Sequence, residues 1–311
     1  MTEQTKTSDR PIAVRRTKLA GAVLARLEGE RRAVTTPYVI FQFMREIFRT
    51  GDRKNLFLRD VVATAGGLRR VLDNLADTHA IAPDRDYQRG VHRVVSVSES
   101  PAEEVCALVN PFGYVSHLSA MQRWGLTNRR PEALYLTMPP ANAARPLVDE
   151  RMAADYGTPF ADLPSDQAVK LHFIRHPERV RGRKVSVYET KHPGRWLQVR
   201  DSHARLATIG QTFVDTLERP QHCGGMAHVL DVWREHASTY REEVVVAVDE
   251  LATPIAKVRA GYLLDDMLGL GNDSRVQDWV RFAQRGSSRV LDPTKHFSAD
   301  HSEKWMLSIN V

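Results

Sequence analysis

Residues 66–95 read GGLRRVLDNLADTHAIAPDRDYQRGVHRVV, and this stretch decides the fold of the first third of the chain. Apolar residues recur at i, i+3, i+4 and i+7 from Leu68 to Leu75, which predicts a helix with one buried face. Two short apolar runs, at residues 80–82 and 91–95, flank a polar turn and predict a β-hairpin. A helix that leads directly into a hairpin is typical of the second half of a winged helix-turn-helix.

The residues before this stretch predict two further helices. Thr36-Pro37 is a good helix start, because threonine can cap the first turn and proline at the first position lacks only an N–H that has no helical partner. An apolar stripe follows over residues 39–48. A short second helix is predicted over residues 58–65, with Val61 and Val62 directed inward.

These elements together predict the organisation of the N-terminal third. Gly66-Gly67 is expected to break the chain between the second and third helices. We therefore predict a winged helix-turn-helix DNA-binding domain over residues 36–99. Residues 1–35 are predicted to be a basic N-terminal extension that contains an amphipathic helix around residues 19–27.

The positive charge of the chain is confined to this part. Residues 1–99 carry 18 Lys and Arg against 12 Asp and Glu, a net charge of +6, whereas residues 100–311 carry 26 of each. A basic block joined to a balanced one favours a segment that meets a polyanion, here double-stranded DNA.

The predicted third helix and wing supply the candidate DNA-binding residues. On the third helix Arg69, Arg70 and Asn74 are expected to read bases, because arginine can bind guanine and asparagine can bind adenine through two hydrogen bonds. The residues better suited to phosphates are Lys54, Arg59, Arg85, Arg89 and Arg93. The alternative is a solvated face of a protein-binding winged helix, since Asp73 and Asp77 weaken the basic character.

Residues 100–311 alternate between strand-like and helix-like segments, and the fold class is predicted to be α+β. Strands are predicted at residues 133–138, 171–174, 184–188 and 196–199, and helices at residues 116–124, 205–217, 225–236 and 255–268. We place the domain boundary at the polar junction 98–101, so that residues 100–311 form an α+β effector domain.

General properties favour a cytoplasmic protein without a membrane partner. No apolar run approaches the roughly 18–20 residues of a membrane helix, and the first residues are polar and basic rather than a secretory signal. Cys106 and Cys223 lie far apart and suit a reducing compartment. No cofactor and no metal are expected.

Catalytic patterns are weak. Glu189-Thr-Lys191 follows a predicted strand, as in Mg²⁺-dependent nucleases of the PD-(D/E)xK type, but the motif is short and also needs a second carboxylate on a neighbouring strand. His172 and His176 have no third ligand nearby for zinc. Ser116 and His117 are adjacent and cannot form a triad. We therefore expect no enzyme, and a nuclease stays the less favoured alternative.

Several segments of the second part resemble the AbiEi family of antitoxins. The matching segments, in order, are YVSHLSAMQRWGLT (114–127), ALYLTMP (133–139), GQTFVDTLERP (210–220), CGGM (223–226), KVRAGYLLD (257–265), LDP (291–293) and KWML (304–307). The resemblance runs from about residue 112 to the C-terminus, and the order and spacing of the segments carry it.

The resemblance implies a winged helix that represses its own operon, at inverted repeats in its own promoter, and a C-terminal domain that neutralises a toxin. The partner gene in this family encodes a nucleotidyltransferase-like toxin, and type IV action is thought not to require a stable complex. An alternative left open is that the C-terminal domain is an interaction module that sequesters the toxin directly.

Overall fold

The structure is a computed structural model that describes residues 15–50, 55–56, 58, 60–286 and 288–311. It mixes helices and sheets, so the predicted α+β class is confirmed. None of the described helices is long and apolar enough to cross a membrane.

The helices and strands are numbered in chain order. The α-helices are α1 Lys18–Gly29, α2 Pro37–Thr50, α3 Ala65–Asp77, α4 Ala102–Val109, α5 His117–Arg123, α6 Arg145–Tyr156, α7 Ile209–Glu218, α8 Met226–His236, α9 Arg241–Leu251, α10 Pro254–Tyr262 and α11 Ser274–Asp278. The strands are β1 Val34–Thr35, β2 Ile81–Pro83, β3 His92–Val94, β4 Tyr114–Val115, β5 Leu134–Met138, β6 Arg179–Val180, β7 Arg183–Glu189, β8 Trp196–Gln198, β9 Arg205–Ala207, β10 His301–Ser302 and β11 Leu307–Ser308.

The described chain divides into two compact units. The first comprises the residues up to Ser100 together with Arg145–Ile174, and the second comprises Pro101–Ala144 and Arg175–Val311. The predicted limit between residues 99 and 100 lies one residue from the observed one. Segment 145–174, which we had placed in the C-terminal domain, instead belongs to the first unit.

In the first unit α1, α2 and α3 pack together beside a small antiparallel sheet of order β1-β3-β2. Thr17 caps the start of helix α1, because its hydroxyl accepts a hydrogen bond from the backbone N–H of Ala20. It buries Val23, Leu24 and Leu27. The helix that we assigned to an N-terminal extension is therefore part of the core of this unit.

The predicted start of α2 is confirmed, whereas the predicted connection to α3 is wrong. Val61 and Val62 are not in a helix, and their side chains are 70% and 42% exposed. Helix α3 starts at Ala65, because the Thr64 hydroxyl accepts from the backbone N–H of Gly67. The glycine pair thus lies inside the first turn and does not break the chain.

Segment 145–174 packs on α2 through polar and aromatic contacts. The Tyr38 hydroxyl donates to Asp155 Oδ2 over 2.8 Å, and Arg45 donates to the backbone carbonyls of Asp155 and Tyr156. The Arg45 guanidinium also lies 4.3 Å from the centre of the Tyr156 ring. These contacts explain why the segment belongs to the first unit.

The second unit contains a six-stranded mixed sheet of order β6-β7-β5-β4-β9-β8. Strand β4 is antiparallel to β5 and parallel to β9, and β5 is parallel to β7. The helical part of this unit has a core that includes Phe213, Trp233, Trp279 and Trp305, all of them fully buried.

Most of the elements predicted over residues 100–311 are confirmed, with two corrections. The predicted strand 171–174 is not formed, and these residues are irregular. The predicted helix 205–217 begins as strand β9, and α7 starts only after Thr208 caps it by accepting from the backbone N–H of Gln211. Helix α10 continues into a π-helical turn at Leu263–Met267.

Candidate nucleic-acid interface

One face of α3 is open to solvent along the helix. Its exposed residues recur every three or four positions and therefore lie on one side. They are Gly66, Arg69, Arg70, Asp73, Ala76 and Asp77. The opposite side is buried through Leu68, Val71 and Leu75. The helix thus presents a continuous polar surface on a well-packed base.

The two arginines of this face are weakly held by the protein. Arg70 Nη2 lies 3.4 Å from Asp60 Oδ2, with the Arg70 side chain 71% exposed. Such an exposed pair contributes at most about 1 kcal/mol to stability. Arg69 makes no hydrogen bond or ion pair with any residue that the structure describes. Both guanidinium groups are therefore positioned to bind another molecule.

The charge of this face changes sign along α3. Its N-terminal half carries Arg69 and Arg70, and its C-terminal half carries Asp73 and Asp77, all four exposed. The face of the helix is thus neutral overall. An anion that meets it is attracted to the first half and repelled by the second.

The side-chain amide of Asn74 forms hydrogen bonds within the protein at both of its ends. These bonds argue against the predicted base-reading role of Asn74. Its Oδ1 accepts from the backbone N–H of Thr17 over 2.9 Å, and its Nδ2 donates to the carbonyl of Arg15 over 3.3 Å. Reading adenine requires both ends of an asparagine amide. Both ends of this one already bind the start of α1.

The predicted wing is the β2–β3 hairpin. The pairs Ile81–Val94 and Pro83–His92 fix its register, and the turn between the strands passes through Gly90 with φ +71°. Arg89 is exposed and has no partner among the described residues. Arg85 is exposed and pairs with Glu99 over 3.2 Å.

Of the three remaining residues that were predicted to contact phosphates, the structure describes one. Arg93 is exposed on β3, the central strand of the small sheet, where its backbone lies opposite Val34 and Ala82. Lys54 and Arg59 lie outside the described residues.

The nuclease and zinc patterns gain no geometric support. Glu189 ends β7 and is exposed, as is Lys191. His172 is exposed, while burial lowers the pKa of His176 to about 4. Within the described part of the chain no group of three or more His, Cys, Asp or Glu side chains is arranged to hold a metal ion.

A buried polar network lies at the end of β4 in the second unit. The Ser116 hydroxyl lies 2.7 Å from His117 Nδ1 and accepts from the Thr137 hydroxyl over 2.8 Å. Burial, with smaller effects from His222 and Arg219, lowers the pKa of His117 to about 3, so the ring is neutral. Ser116 and His117 are 0% and 1% exposed. The network therefore belongs to the core and is not placed to attack a substrate.

Asp215 lies beside this network. Its carboxylate accepts from Gln211 Nε2 over 2.7 Å and from the backbone N–H of His117 over 3.5 Å. Burial raises the pKa of Asp215 to about 7. The sequence contains no local signal for this buried acid, because Asp215 occupies an ordinary helical position.

No family model matches the sequence, and no curated protein matches it either. Among solved structures, the chain is similar to the RV2827C protein from Mycobacterium tuberculosis, with 14% sequence identity and a TM-score of 0.44. That alignment covers 96% of this chain and 94% of the other. The function of the chain has to be inferred from its own residues.

Proposed function

We propose that this chain is a DNA-binding transcriptional repressor that also serves as the antitoxin of a type IV toxin–antitoxin pair. The observation that carries the DNA-binding half is the exposed face of α3, where Arg69 and Arg70 lie on a helix whose other side is buried. Both side chains are weakly held, and they belong to the basic third of the chain.

The order of elements supports a winged helix as the architecture of this unit. Three helices, with β1 between the first two, are followed by the β2–β3 hairpin, and β3 lies between β1 and β2 in the sheet. In a winged helix the third helix enters the major groove and the hairpin lies along the backbone or in the minor groove. This assigns base contacts to α3 and phosphate contacts to the wing.

The side chains fit these roles to different degrees. Arg69 and Arg70 can each donate two hydrogen bonds to the O6 and N7 atoms of guanine. Arg89, at the turn of the hairpin, and Arg93, on β3, are suited to phosphates. Arg85 takes part only if its exposed pair with Glu99 opens. Asn74 is not among the proposed base readers.

The antitoxin half of the proposal rests on the resemblance of residues 112–311 to the AbiEi family. It assigns to the second unit the neutralisation of a nucleotidyltransferase-like toxin. The chain would act by binding DNA at equilibrium and by neutralising the toxin, and it would not itself catalyse a reaction. It would repress transcription by occupying its own promoter.

Selection of duplexes from a randomised library by the full-length chain tests the DNA-binding half, at about 150 mM salt because affinity depends on salt. We expect one recurrent motif containing guanines, and Arg69→Ala or Arg70→Ala should relax the preference at defined positions. Arg200→Ala, an exposed arginine of the second unit, is the matched control. Recovery of random sequence by the wild-type chain would contradict the proposal.

Co-expression with the product of an adjacent nucleotidyltransferase gene tests the antitoxin half. The wild-type chain is expected to restore growth, and so is the Arg69→Ala/Arg70→Ala double variant, because neutralisation does not use the DNA-binding face. Continued growth arrest in the presence of the wild-type chain would contradict this half alone.

Direct sequestration of the toxin is the second candidate, and the edge of the large sheet favours it. Among the strands that the structure describes, β8 pairs with β9 alone, and it exposes Trp196 (46%) and Leu197 (37%). An edge strand with exposed apolar side chains can pair with a partner protein. Sequestration predicts that the two proteins elute as one size-exclusion peak at micromolar concentration. The Trp196→Asp variant of this chain should no longer co-elute with the toxin. Two separate peaks for the wild-type pair would exclude it.

A further inference from the structure

The start of α1 is attached to the flank of α3 by side-chain hydrogen bonds. Asn74 binds the backbone of Arg15 and Thr17, and Arg16 Nε donates to the Thr78 hydroxyl over 3.2 Å. These residues are 57–62 positions apart in the chain. The contact is therefore a feature of the fold and not of local sequence.

We propose that Asn74 is a positioning residue that holds a basic arm, Arg15 and Arg16, beside the DNA-binding face of α3, where the arm contacts phosphates. This inference rests on the proposed function of the first unit as a DNA-binding winged helix. It goes further by adding a second set of DNA contacts and by giving Asn74 a role other than base reading.

The helical geometry places the arm next to the proposed base readers. Asn74 follows Arg70 by four residues, so it lies one turn further along α3 and on an adjacent line of the helix surface. Thr17, which Asn74 binds, also caps α1. The backbone of the arm is thus fixed at both α1 and α3.

The two arginine side chains remain available on this scaffold. Arg15 and Arg16 are exposed. The structure gives the side chain of Arg15 no partner among the described residues, and it gives the side chain of Arg16 the single bond to Thr78. A guanidinium group has five N–H donors, so most of those on Arg16 stay unused. Asn74 binds only the backbone of the arm and does not engage either guanidinium group.

The arm also supplies the net positive charge that the exposed face of α3 lacks. Asp73 and Asp77 oppose Arg69 and Arg70, so the helix alone offers no net positive charge to DNA. The arm binds near the C-terminal end of α3, the half that carries both aspartates. Arg15 and Arg16 therefore add two positive charges where repulsion of phosphates would be greatest. The location also suits cations because it is the negative end of the helix dipole.

Titration of full-length variants with duplex DNA at several salt concentrations tests the proposal. The variants are Asn74→Ala, the double variant Arg15→Gln/Arg16→Gln and the combination of all three, with Arg200→Gln as control. The double variant leaves the backbone bonds of Asn74 intact, so its effect does not depend on the fold of the arm. Circular dichroism checks that each variant keeps its helices.

We expect the double variant to bind every duplex about tenfold more weakly, with a salt slope of log K smaller by about 2, because two phosphate contacts are lost. Asn74→Ala should reproduce a large part of both effects without changing the preferred sequence. The triple variant should be no weaker than the double variant, because Asn74 acts only through the arm.

Two outcomes would overturn the proposal while leaving DNA binding established. One is a changed base preference at a single position in Asn74→Ala with an unchanged salt slope, which would make Asn74 a base reader. The other is wild-type affinity and slope in the double variant. If the wild-type chain binds no duplex in the same titration, the proposed function fails, and the arm proposal falls with it.

Discussion

Two sets of arginines, one taken from each unit of this chain, have opposite roles. In the second unit Arg205 is buried and donates to the backbone carbonyls of Ala107, Asn110, Pro111 and Gly113. In the first unit Arg69 and Arg70 are exposed on α3, and only Arg70 has a described partner, at 3.4 Å.

Buried arginines of this kind stabilise the fold, whereas the exposed ones are available to a ligand. A buried guanidinium bound to several carbonyls satisfies backbone groups that would otherwise lack partners. An exposed guanidinium with a weak partner contributes little to stability. Substitutions in the first class should therefore change unfolding, and substitutions in the second should change binding.

The largest effect is expected for Arg205→Ala. It leaves several buried carbonyls without a donor, which should lower the free energy of unfolding by about 3 kcal/mol or more. All five tryptophans lie between residues 124 and 305, in the second unit, so tryptophan fluorescence in urea reports on this unit specifically. Arg200→Ala removes an arginine whose side chain is 95% exposed, and it should change the free energy of unfolding by less than about 0.5 kcal/mol. Equal unfolding of the two variants would contradict the comparison.

A smaller stability effect is expected from the ionisation of Asp215. Its pKa of about 7 in the folded chain lies above the roughly 3.9 of an unfolded aspartate. The folded state therefore binds the extra proton between these values, and this group's contribution to stability is present at pH 4 and is lost as the pH rises through 7.

The Asp215→Asn variant checks this sign. Between pH 5 and pH 8 the wild-type chain should lose about 2.5 kcal/mol relative to the variant. The neighbouring His117 has a lowered pKa and acts in the opposite direction, but it is present in both proteins and cancels in the difference. Parallel urea midpoints for wild type and variant across this range would show that Asp215 is ionised throughout.

For the exposed face, Arg69→Ala and Arg70→Ala should each weaken specific DNA binding by about 1–3 kcal/mol. Urea unfolding should stay within about 0.5 kcal/mol of wild type, because neither side chain is buried. Anisotropy titrations and unfolding curves on the same preparations separate the two effects. A variant that unfolds earlier and binds normally would reverse the roles assigned to the two units.

The smallest effect is expected at the β2–β3 hairpin, the proposed wing. Arg89→Ala should weaken binding to all duplexes about equally and reduce the salt slope by about 1. Arg85→Ala should have a smaller effect, because Arg85 already pairs with Glu99. A change of sequence preference in Arg89→Ala would instead place the wing on base edges.

Local patterns in the sequence predicted the elements that depend on local chemistry. Thr36-Pro37 marks the start of α2, and the turn before Val91 marks the hairpin. The error of expecting a break at Gly66-Gly67 has a physical reason. Gly67 is buried, and a Cβ there would lie 3.5 Å from Met44 Cε and 3.2 Å from the Thr64 hydroxyl. The glycine serves close packing on α2 and does not end a helix.

Contacts between distant residues were beyond the reach of these patterns. Tyr38 and Asp155, which join α2 to α6, are 117 positions apart. The role of Asn74 is hidden for the same reason, because its partners Arg15 and Thr17 precede it by more than 50 residues. A half-buried asparagine that follows two arginines on a helix resembles a base reader until its partners are known.

The central claim is that the exposed face of α3 binds specific DNA. Its most direct test is fluorescence anisotropy of the full-length chain on the duplex upstream of its own gene, at about 150 mM salt with excess competitor DNA. We predict nanomolar, competitor-resistant binding by the wild-type chain and at least about tenfold weaker binding by the Arg69→Ala/Arg70→Ala double variant. Equal affinity of the two proteins, or no binding by the wild-type chain, would contradict the claim.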